Sequence, residues 1–287
     1  MRILLFGATG LLGQALTRAA ARRGDTIVGV ARHGANRTVD LTISGAIKPL
    51  VAAEKPDLVI NAAALTNLDA CEADPKAAHA INADAVGAIA DACRDLAIRF
   101  VHVSTDHFFT GDRDRPHDEG AKVDLVNAYA RSKFAGEAQA MRAPGALVVR
   151  TNITGRRGWP QPTFFEWAAD ALERRLPMTL FDDFHTSTID ADALAAALLD
   201  LADRRTTGLL NVASRQVSHK KQFIEALASA MGIRLDWATT GSVRGVSVRR
   251  AESLGLDVSR AEAILGYRLP DLAAVAGSLA SQRRQSA

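Results

Sequence analysis

A short apolar strand runs directly into a glycine-rich turn at the start of the chain, and this feature constrains the fold more than any other. Residues 2–6 are followed by Gly7, Gly10 and Gly13, and the pattern then continues as a helix. Gly7 and Gly10 let the backbone approach a pyrophosphate, which the N–H groups and the dipole of a helix N-terminus attract. Gly13 permits close packing of the helix on the strand. The spacing predicts a nucleotide-binding unit, with glycines that serve packing alone as the alternative.

Short apolar strands alternate with helices over the first half of the chain. The predicted strands are residues 3–6, 26–30, 37–40, 58–61, 99–103 and 147–150, and the predicted helices are 11–23, 43–54 and 75–96. Such an alternation indicates a parallel sheet that is covered on both faces and joined by right-handed crossovers. We therefore predict an α/β fold: a Rossmann-type doubly wound parallel sheet with a smaller α/β C-terminal substrate lobe.

The alternation loosens after Arg150. Residues 155–162 are rich in Gly, Pro and Arg, as is typical of a loop. Further helices are predicted at about 163–175, 190–203, 220–231 and 271–282, with one more strand at 209–212. This change predicts a cofactor-binding Rossmann domain over residues 1–151, joined by about 186–212, and a mainly substrate-binding lobe over residues 152–287.

Composition narrows the classes of partner. The 35 Lys and Arg residues against 32 Asp and Glu give a formal charge of +3 without a basic tract, so we expect no nucleic-acid binding. No apolar run approaches the roughly 18 residues of a membrane span. The N-terminus has no signal-peptide pattern, which favours a cytoplasmic protein. Cys71 and Cys93 predict two reduced thiols, and the absence of ligand spacing predicts no metal site.

Tyr129 and Lys133 stand four residues apart, so they share one face of a helix. A polar pair at this spacing also stabilises ordinary helices, and alone it is weak evidence. The pair lies downstream of the glycine turn and of the fifth strand, and this position favours a chemical role. Thr105 and Asp106 follow the fifth strand directly, at the edge where open sheets place active sites. A hydroxyl there can donate a hydrogen bond to a substrate carbonyl, whereas a turn or helix cap is the structural alternative.

The end of the second strand predicts which cofactor binds. An acidic residue about 20 positions after the glycine turn usually bonds the adenosine ribose, but here that stretch carries Arg32. A guanidinium can pair with a 2′-phosphate, which favours NADP(H), with NAD(H) and a merely solvated arginine as alternatives. Asp40 and Leu41 end the third strand and are candidates for an adenine contact, with a plain strand-end turn as the alternative. The small residues Ala63 and Ala64 follow the fourth strand and either approach a ribose or nicotinamide or pack the core.

These segments together resemble the extended short-chain dehydrogenase/reductase family, and in particular its branch of dTDP-4-dehydrorhamnose reductases. The resemblance is strong over residues 1–151 and diffuse thereafter. The chain departs from the family pattern at His107, where a tyrosine is usual, at Ala130 before Arg131, where a glycine is usual, and at Ile153, where a tryptophan associated with the sugar site is frequent. The matching segments are Gly7-Ala-Thr-Gly10-Leu-Leu-Gly13, Asn61-Ala-Ala-Ala-Leu-Thr-Asn-Leu-Asp-Ala-Cys-Glu72, Ser104-Thr-Asp106, Asn127-Ala-Tyr129, Lys133-Phe-Ala-Gly-Glu137 and Arg150-Thr151.

The resemblance implies an NAD(P)H-dependent oxidoreductase that reduces the keto group of a nucleotide-linked 4-keto-6-deoxysugar. The catalytic residues it implies are Thr105, Tyr129 and Lys133. The resemblance also implies cofactor contacts beyond those named so far. Residues beside the phosphates, ribose and nicotinamide would be Leu11, Leu12, Leu65, Thr66 and Val103. The Tyr129 and Lys133 side chains would reach the cofactor as well. The expected substrate residues are Thr105, Asp106 and Ile153. Candidate partners of the sugar diphosphate, each with a solvated surface role as the alternative, are Arg156, Arg157, Lys220 and Arg249.

Two other activities share this architecture. An epimerase or dehydratase would keep its cofactor tightly bound and show no net consumption of NADPH. A non-catalytic NADP(H)-binding regulatory subunit would serve as a module for a partner protein, but it need not keep Thr105, Tyr129 and Lys133 together. We expect a nucleotide sugar as the small-molecule ligand. We expect neither nucleic acid nor a membrane as a partner, and a homodimer is a possible assembly.

Overall fold

A computed structural model of the protein describes residues 1–243 and 248–285. The strands, numbered in chain order, are β1 (Arg2–Phe6), β2 (Thr26–Ala31), β3 (Arg37–Thr38), β4 (Leu58–Asn61), β5 (Arg99–Val103), β6 (Leu147–Arg150), β7 (Ile153–Thr154), β8 (Thr179–Phe181), β9 (His185–Thr186), β10 (Ile189–Asp190), β11 (Gly208–Asn211), β12 (Ser218–His219), β13 (Thr239–Gly241) and β14 (Ser253–Leu254). The helices are α1 (Leu11–Arg22), α2 (Ile47–Glu54), α3 (Leu68–Ala73), α4 (Pro75–His79), α5 (Ala85–Asp95), α6 (Ala128–Ala140), α7 (Phe164–Glu173), α8 (Ala191–Asp203), α9 (Lys220–Ala230), α10 (Ser259–Leu265) and α11 (Leu272–Arg284).

Within the described residues, the central sheet has seven strands in the order β11-β6-β5-β4-β1-β2-β3. The pairings from β3 through β6 are parallel. Ile3, Leu4, Leu5 and Phe6 of β1 are all fully buried, and since successive side chains of a strand face opposite sides, both faces of the sheet are covered. The chain order reverses at β1, so the carboxyl ends of β1 and β4 form the switch point where such sheets bind ligands. The predicted Rossmann-type doubly wound sheet is confirmed.

The single helix predicted over residues 75–96 is wrong, because a π-helical turn interrupts it. The turn spans Ala80–Asp84 and separates α4 from α5. A Cβ atom at Gly136 of α6 would lie 2.1 Å from the carbonyl oxygen of Asn82 in this turn. The widened turn therefore rests against α6 at a residue that has no side chain. Such turns inside helices are frequent at functional sites.

Three smaller differences from the predicted elements have local causes. The helix expected from residue 43 begins at Ile47, because Gly45 has a φ of 79° that a right-handed helix does not accept. The third strand ends at Thr38 rather than at residue 40, and Asp40 instead accepts a hydrogen bond from the Thr42 backbone N–H at 2.9 Å, which makes a turn. The helices α3 and α10 were not predicted, since six or seven residues are too few to display a helical period.

The chain divides into two compact units. The first unit contains Met1–Thr105, Leu125–Arg150 and Ala195–Leu210, and the second contains Asp106–Asp124, Thr151–Leu194 and Asn211–Ala287. In the second unit β7 pairs with β10, β8 with β13, and β9 lies between β12 and β14. Its core includes Phe165, Leu172, Phe223, Leu227 and Val275, on α7, α9 and α11. Strands of two or three residues are too short to leave a pattern in the sequence, which explains why they were not predicted.

Over the described ranges, no helix has the length and apolar character needed to cross a membrane. The same part of the chain holds no group of three or more His, Cys, Asp or Glu side chains placed to bind a metal ion. Cys71 on α3 and Cys93 on α5 are both buried and free.

Candidate active site

The glycine turn after β1 is closely packed against the end of β4. Gly7 has a φ of 82°, and a Cβ atom there would lie 2.6 Å from the backbone nitrogen of Ala63. A Cβ atom at Gly13 would lie 2.2 Å from the carbonyl oxygen of Gly7, so α1 sits directly on the turn. Gly10 is the N-cap of α1 and supplies no capping side chain. The first-turn amides of α1, which include Leu11, can therefore serve an anionic ligand.

Arg32 follows β2 with an exposed side chain, as its predicted contact with a 2′-phosphate requires. It lies close to Asp40, whose pKa is lowered mainly by hydrogen bonds from the Thr42 backbone N–H and hydroxyl and further by the Arg32 charge. The Asp40 carboxylate is thus used by its own turn. Leu41 is partly buried against the hydrophobic core, so its side chain is available to the cofactor only in part.

Two buried asparagines hold the segment that follows β4. Asn61 accepts a hydrogen bond from the Ala63 backbone N–H at 3.1 Å. Asn82, in the π-helical turn, accepts from the Leu65 N–H at 2.8 Å and donates to the Leu65 carbonyl at 3.0 Å and to the Ser132 hydroxyl at 3.0 Å. The segment from Ala63 to Thr66, which is predicted to line the ribose and nicotinamide, is therefore held at Ala63 by Asn61 and at Leu65 by Asn82. No role for Asn82 was predicted from the sequence. Its signal in the sequence is that it is an asparagine inside a predicted helix, a position where asparagine is disfavoured.

Lys133 meets the end of β5 through a direct hydrogen bond. Its side chain is 1% exposed, and its Nζ donates to the Val103 carbonyl at 2.8 Å. Burial lowers the pKa of Lys133 to about 8, and the nearby Glu137 carboxylate partly opposes that effect. Thr105 is buried two residues beyond Val103. The sequence-predicted residues Val103, Thr105 and Lys133 are thus brought to one end of one strand.

Tyr129 lies on the same helix, one turn before Lys133. Asn127 caps this helix, α6, by accepting a hydrogen bond from the Ala130 backbone N–H at 2.8 Å. The Tyr129 side chain is 7% exposed, and it belongs to a small hydrophobic cluster that also contains Cys71 and Leu65. This cluster places the phenol beside the segment after β4. The Tyr129 ring packs against apolar side chains. The hydroxyl is the polar part of this side chain and the part that can transfer a proton.

His102 precedes this strand end and is fully buried. Its Nδ1 lies 3.2 Å from the Asn61 Nδ2, so the ring nitrogen accepts the hydrogen bond. Burial, and to a lesser extent the Lys133 charge, lowers the pKa of His102 well below its ordinary value. The ring is consequently neutral, and it serves the packing of the strand end.

A pocket of about 400 Å³ lies in the second unit, and it is lined by aromatic side chains and by two basic side chains, Lys220 and Arg250. The Nζ of Lys220 is 4.2 Å from the centroid of the Phe164 ring and 5.6 Å from that of Phe184. Burial lowers the pKa of Lys220 to about 8, and the Asp106 charge raises it. Residues that line the pocket are Phe164, Trp167, Pro177, Met178, Thr179, Leu180, Phe181, Phe184, Lys220, Ile224, Val243 and Arg250.

A second pocket, of about 830 Å³, shares Val243 and Arg250 with the first. It is lined further by Arg249, a predicted diphosphate partner, and by Arg113 and His185. Basic side chains therefore gather on this side of the unit. They are accompanied by acidic lining residues, namely Asp182, Asp183 and Glu252.

Asp106, a predicted substrate residue, is fully buried in the second unit. Its Oδ2 accepts a hydrogen bond from the Asn152 Nδ2 at 2.8 Å, and the Asn152 Oδ1 accepts from the Thr188 hydroxyl at 2.9 Å. Burial, Lys220 and Arg250 lower the pKa of the neighbouring His107 to about 4. His107 is thus a neutral group near the two pocket cations.

The other predicted substrate residues are placed differently. Ile153 is partly buried in β7 and pairs with Ile189 of β10. Arg156 is exposed and lines neither pocket. The guanidinium of Arg157 lies 4.3 Å from the centroid of the Trp159 ring and donates a hydrogen bond to the Gln161 carbonyl. Its contacts are therefore with the loop in which it lies.

The fold and this set of residues define an extended short-chain dehydrogenase/reductase. The model of the RmlD substrate binding domain family matches residues 1–280, and the chain belongs to this family. The chain is 32% identical over 287 residues to the "Probable low-salt glycan biosynthesis reductase Agl14" of Haloferax volcanii, with 95% of each chain covered. It is 33% identical over 234 residues to the dTDP-4-dehydrorhamnose reductase of Mycolicibacterium smegmatis, covering 80% of this chain and 69% of that one.

A solved structure has the same fold at lower identity. The dTDP-4-dehydrorhamnose reductase of Bacillus anthracis, in complex with NADP, superposes with a TM-score of 0.87 at 21% identity and covers 97% of this chain and 98% of its own. The recognised family and the doubly wound fold are both confirmed.

Proposed function

We propose that the protein uses NADPH to reduce the keto group of a nucleotide-linked 4-keto-6-deoxysugar. The observation that carries this proposal is the buried Lys133 ammonium, bonded to the Val103 carbonyl at 2.8 Å and one helical turn from Tyr129. A relative that is 33% identical is named a dTDP-4-dehydrorhamnose reductase. In this proposal residues 1–151, joined by about 186–212, bind the cofactor, and residues 152–287 mainly bind the substrate.

The glycine turn fits a dinucleotide. Cβ atoms at Gly7 and Gly13 would overlap backbone atoms, so the turn exists only with glycines, and the N-terminus of α1 attracts a pyrophosphate. The nicotinamide, when bound, supplies the hydride for the carbonyl carbon. Tyr129 donates a proton to the carbonyl oxygen. Lys133 would hold the ribose hydroxyls of the bound cofactor, and its charge favours the Tyr129 phenolate. Thr105 would donate a hydrogen bond to the developing oxyanion.

The pocket of about 400 Å³ fits the nucleoside diphosphate part of the substrate. Aromatic and aliphatic walls suit a base, and Lys220 and Arg250 supply positive charge for phosphates. Asp106 is expected to hold Lys220 charged and oriented, because its carboxylate raises the Lys220 pKa against the effect of burial.

The proposed activity is tested with a panel of nucleotide-4-keto-6-deoxysugars while the absorbance of the reduced nicotinamide is followed. One NADPH oxidised for each sugar reduced is expected. A sugar isomer or dehydrated product formed with no loss of NADPH would replace the proposal by the epimerase or dehydratase alternative. No turnover of any sugar, with NADPH bound, would favour the regulatory subunit.

We expect NADPH to bind more tightly than NADH, and Arg32→Ala to remove about a tenfold part of that preference. The reason is that a charge-assisted hydrogen bond to a 2′-phosphate is lost while NADH has no phosphate to lose. Both affinities are measured by nucleotide fluorescence. The control is Arg22→Ala, which removes another exposed arginine at the end of α1. Equal affinities of the unaltered protein for the two cofactors would contradict the assignment of Arg32.

We expect Lys220→Met to weaken the binding of dTDP by about tenfold or more and to leave NADPH binding unchanged. The side chain keeps its apolar contacts with the aromatic rings, but its charge is removed from the pocket. Titration calorimetry with dTDP measures the effect. Lys221→Met is the matched control, since the Lys221 Nζ donates to the Thr240 hydroxyl at 3.1 Å and the residue does not line the pocket. The same dTDP affinity in both variants would remove Lys220 from the substrate site.

A further inference from the structure

We propose that Glu137 is a positioning residue for Lys133, which ties the end of β5 to α6 and keeps the Lys133 ammonium aligned and charged. Its catalytic consequence rests on the proposed function, whereas the charge state of Lys133 can be measured without any substrate. Glu137 belongs to a segment that resembles the family, and the sequence by itself assigns it no role.

The carboxylate of Glu137 binds two different elements of the sheet. Glu137 lies one helical turn after Lys133, on the same face of α6. Its Oε1 accepts from the Ser104 hydroxyl at 2.6 Å and from the Arg150 Nε at 2.9 Å, and its Oε2 accepts from the Arg150 Nη2 at 2.8 Å. The Ser104 backbone N–H donates to the Val149 carbonyl at 2.7 Å. Ser104 is therefore held by its side chain to α6 and by its backbone to β6.

Ser104 is the residue between the two groups that the chemistry needs. Val103 before it offers the carbonyl that accepts from Lys133 at 2.8 Å, and Thr105 after it carries the hydroxyl. A fork of two parallel hydrogen bonds between a guanidinium and a carboxylate fixes orientation as well as distance. The buried pair of Glu137 and Arg150 thereby holds the acceptor of the Lys133 ammonium in place.

The same carboxylate also acts on Lys133 through its charge. Burial lowers the pKa of Lys133 to about 8, and Glu137 raises it. His102 on β5 faces Lys133 as a neutral ring, because burial lowers its own pKa. Arg150 on β6 is compensated by Glu137, and Tyr129 lies on α6 itself. If Glu137 lost its charge, Arg150 would remain as a second buried cation, and both changes disfavour the Lys133 ammonium.

The test is a Glu137→Gln variant of the 287-residue chain, with lysines labelled at 13Cε and followed by NMR during a pH titration. Lys133→Met identifies the Lys133 resonance. The midpoint of Lys133 is expected near 8 in the unaltered protein, and on the order of one pH unit lower in the variant. Because the ammonium is the active form, turnover is lost as the pH rises through this midpoint. The alkaline limb of the kcat profile should therefore move to lower pH by the same amount.

Glu54→Gln is the matched control for the loss of a buried carboxylate. Glu54 pairs with Arg2 and Arg37 at 2.5 Å each, away from the catalytic residues, so this variant should lose stability with no change in the Lys133 midpoint. The double variant Glu137→Gln/Arg150→Met removes the Arg150 charge together with the tie between α6 and β6. Its Lys133 midpoint should stay below that of the unaltered protein, because the Glu137 charge is absent and the Val103 acceptor is no longer held. The double variant leaves no unpaired buried charge.

Two outcomes would overturn the proposal. One is an unchanged Lys133 midpoint in Glu137→Gln with a loss of thermal stability like that of Glu54→Gln, which would make Glu137 a structural residue only. The other is a double variant whose Lys133 midpoint returns fully to that of the unaltered protein, which would assign the shift in Glu137→Gln to the unpaired Arg150 charge alone. A midpoint that is lowered in both variants, in a protein that reduces no sugar, would support the positioning role and refute only the proposed function.

Discussion

Tyr129→Phe is expected to lower kcat on the identified sugar by roughly 100-fold or more and to leave the affinity for NADPH within about twofold. The phenol is the proposed proton donor, and phenylalanine removes only its hydroxyl. The ring is buried with Cys71 and Leu65, so its apolar packing is kept in the variant. The measurement is a steady-state rate from NADPH absorbance together with a fluorescence titration of NADPH.

The companion control for this variant is Tyr267→Phe, which removes the hydroxyl of an exposed tyrosine in the C-terminal part of the chain. It should turn over at the rate of the unaltered protein. An unchanged kcat in Tyr129→Phe would show that the hydroxyl takes no part in the reaction. The regulatory-subunit alternative would then become the better account of the glycine turn and of the helix face that carries Tyr129 and Lys133.

Gly136→Ala is expected to lower the free energy of unfolding by roughly 1–3 kcal/mol, and Tm by roughly 2–12 °C. The added Cβ atom would lie 2.1 Å from the carbonyl oxygen of Asn82, and neither group is the end of a flexible side chain. Relief requires α6 to move away from the π-helical turn. Because Asn82 also holds the backbone of Leu65, the NADPH affinity should fall in the same variant.

Gly277→Ala provides the matched control, because Gly277 lies in α11 and a Cβ atom there would meet nothing within 4 Å. Alanine is favoured over glycine inside a helix by about 1 kcal/mol, so Tm should stay unchanged or rise slightly. Thermal unfolding followed by circular dichroism compares the two variants. The same Tm in both would mean that the close approach at Gly136 does not constrain the fold.

The elements predicted best from the sequence are those whose signal is local. The strands β4, β5 and β6 have the predicted bounds, since each is an apolar run that ends in a change of composition. The π-helical turn could not be predicted, because it packs against Gly136, a residue of a different helix about 50 positions further along the chain. The two-residue strands of the second unit depend on partners far along the chain, and no period can develop over their length.

The same distinction applies to the candidate site. The spacing of Tyr129 and Lys133 predicts a shared helix face, and the end of an apolar strand predicts the edge where Thr105 lies. The bond between Lys133 and the Val103 carbonyl, and the position of Lys220 over Phe164, depend on which elements meet in three dimensions. A charged residue in the sequence gives no sign of whether it will be buried, and burial is what lowers the pKa of both lysines to about 8.

The tight packing of the glycine turn also bears on how quickly a dinucleotide can be captured. Gly7 is pressed against Ala63, and Gly13 against Gly7, so the loop has one backbone shape before any ligand arrives. A ligand that meets a loop already in its bound shape does not lose affinity to the conformational entropy of ordering it. Association should accordingly proceed in a single kinetic phase whose rate rises linearly with nucleotide concentration, without a slow isomerisation after the encounter.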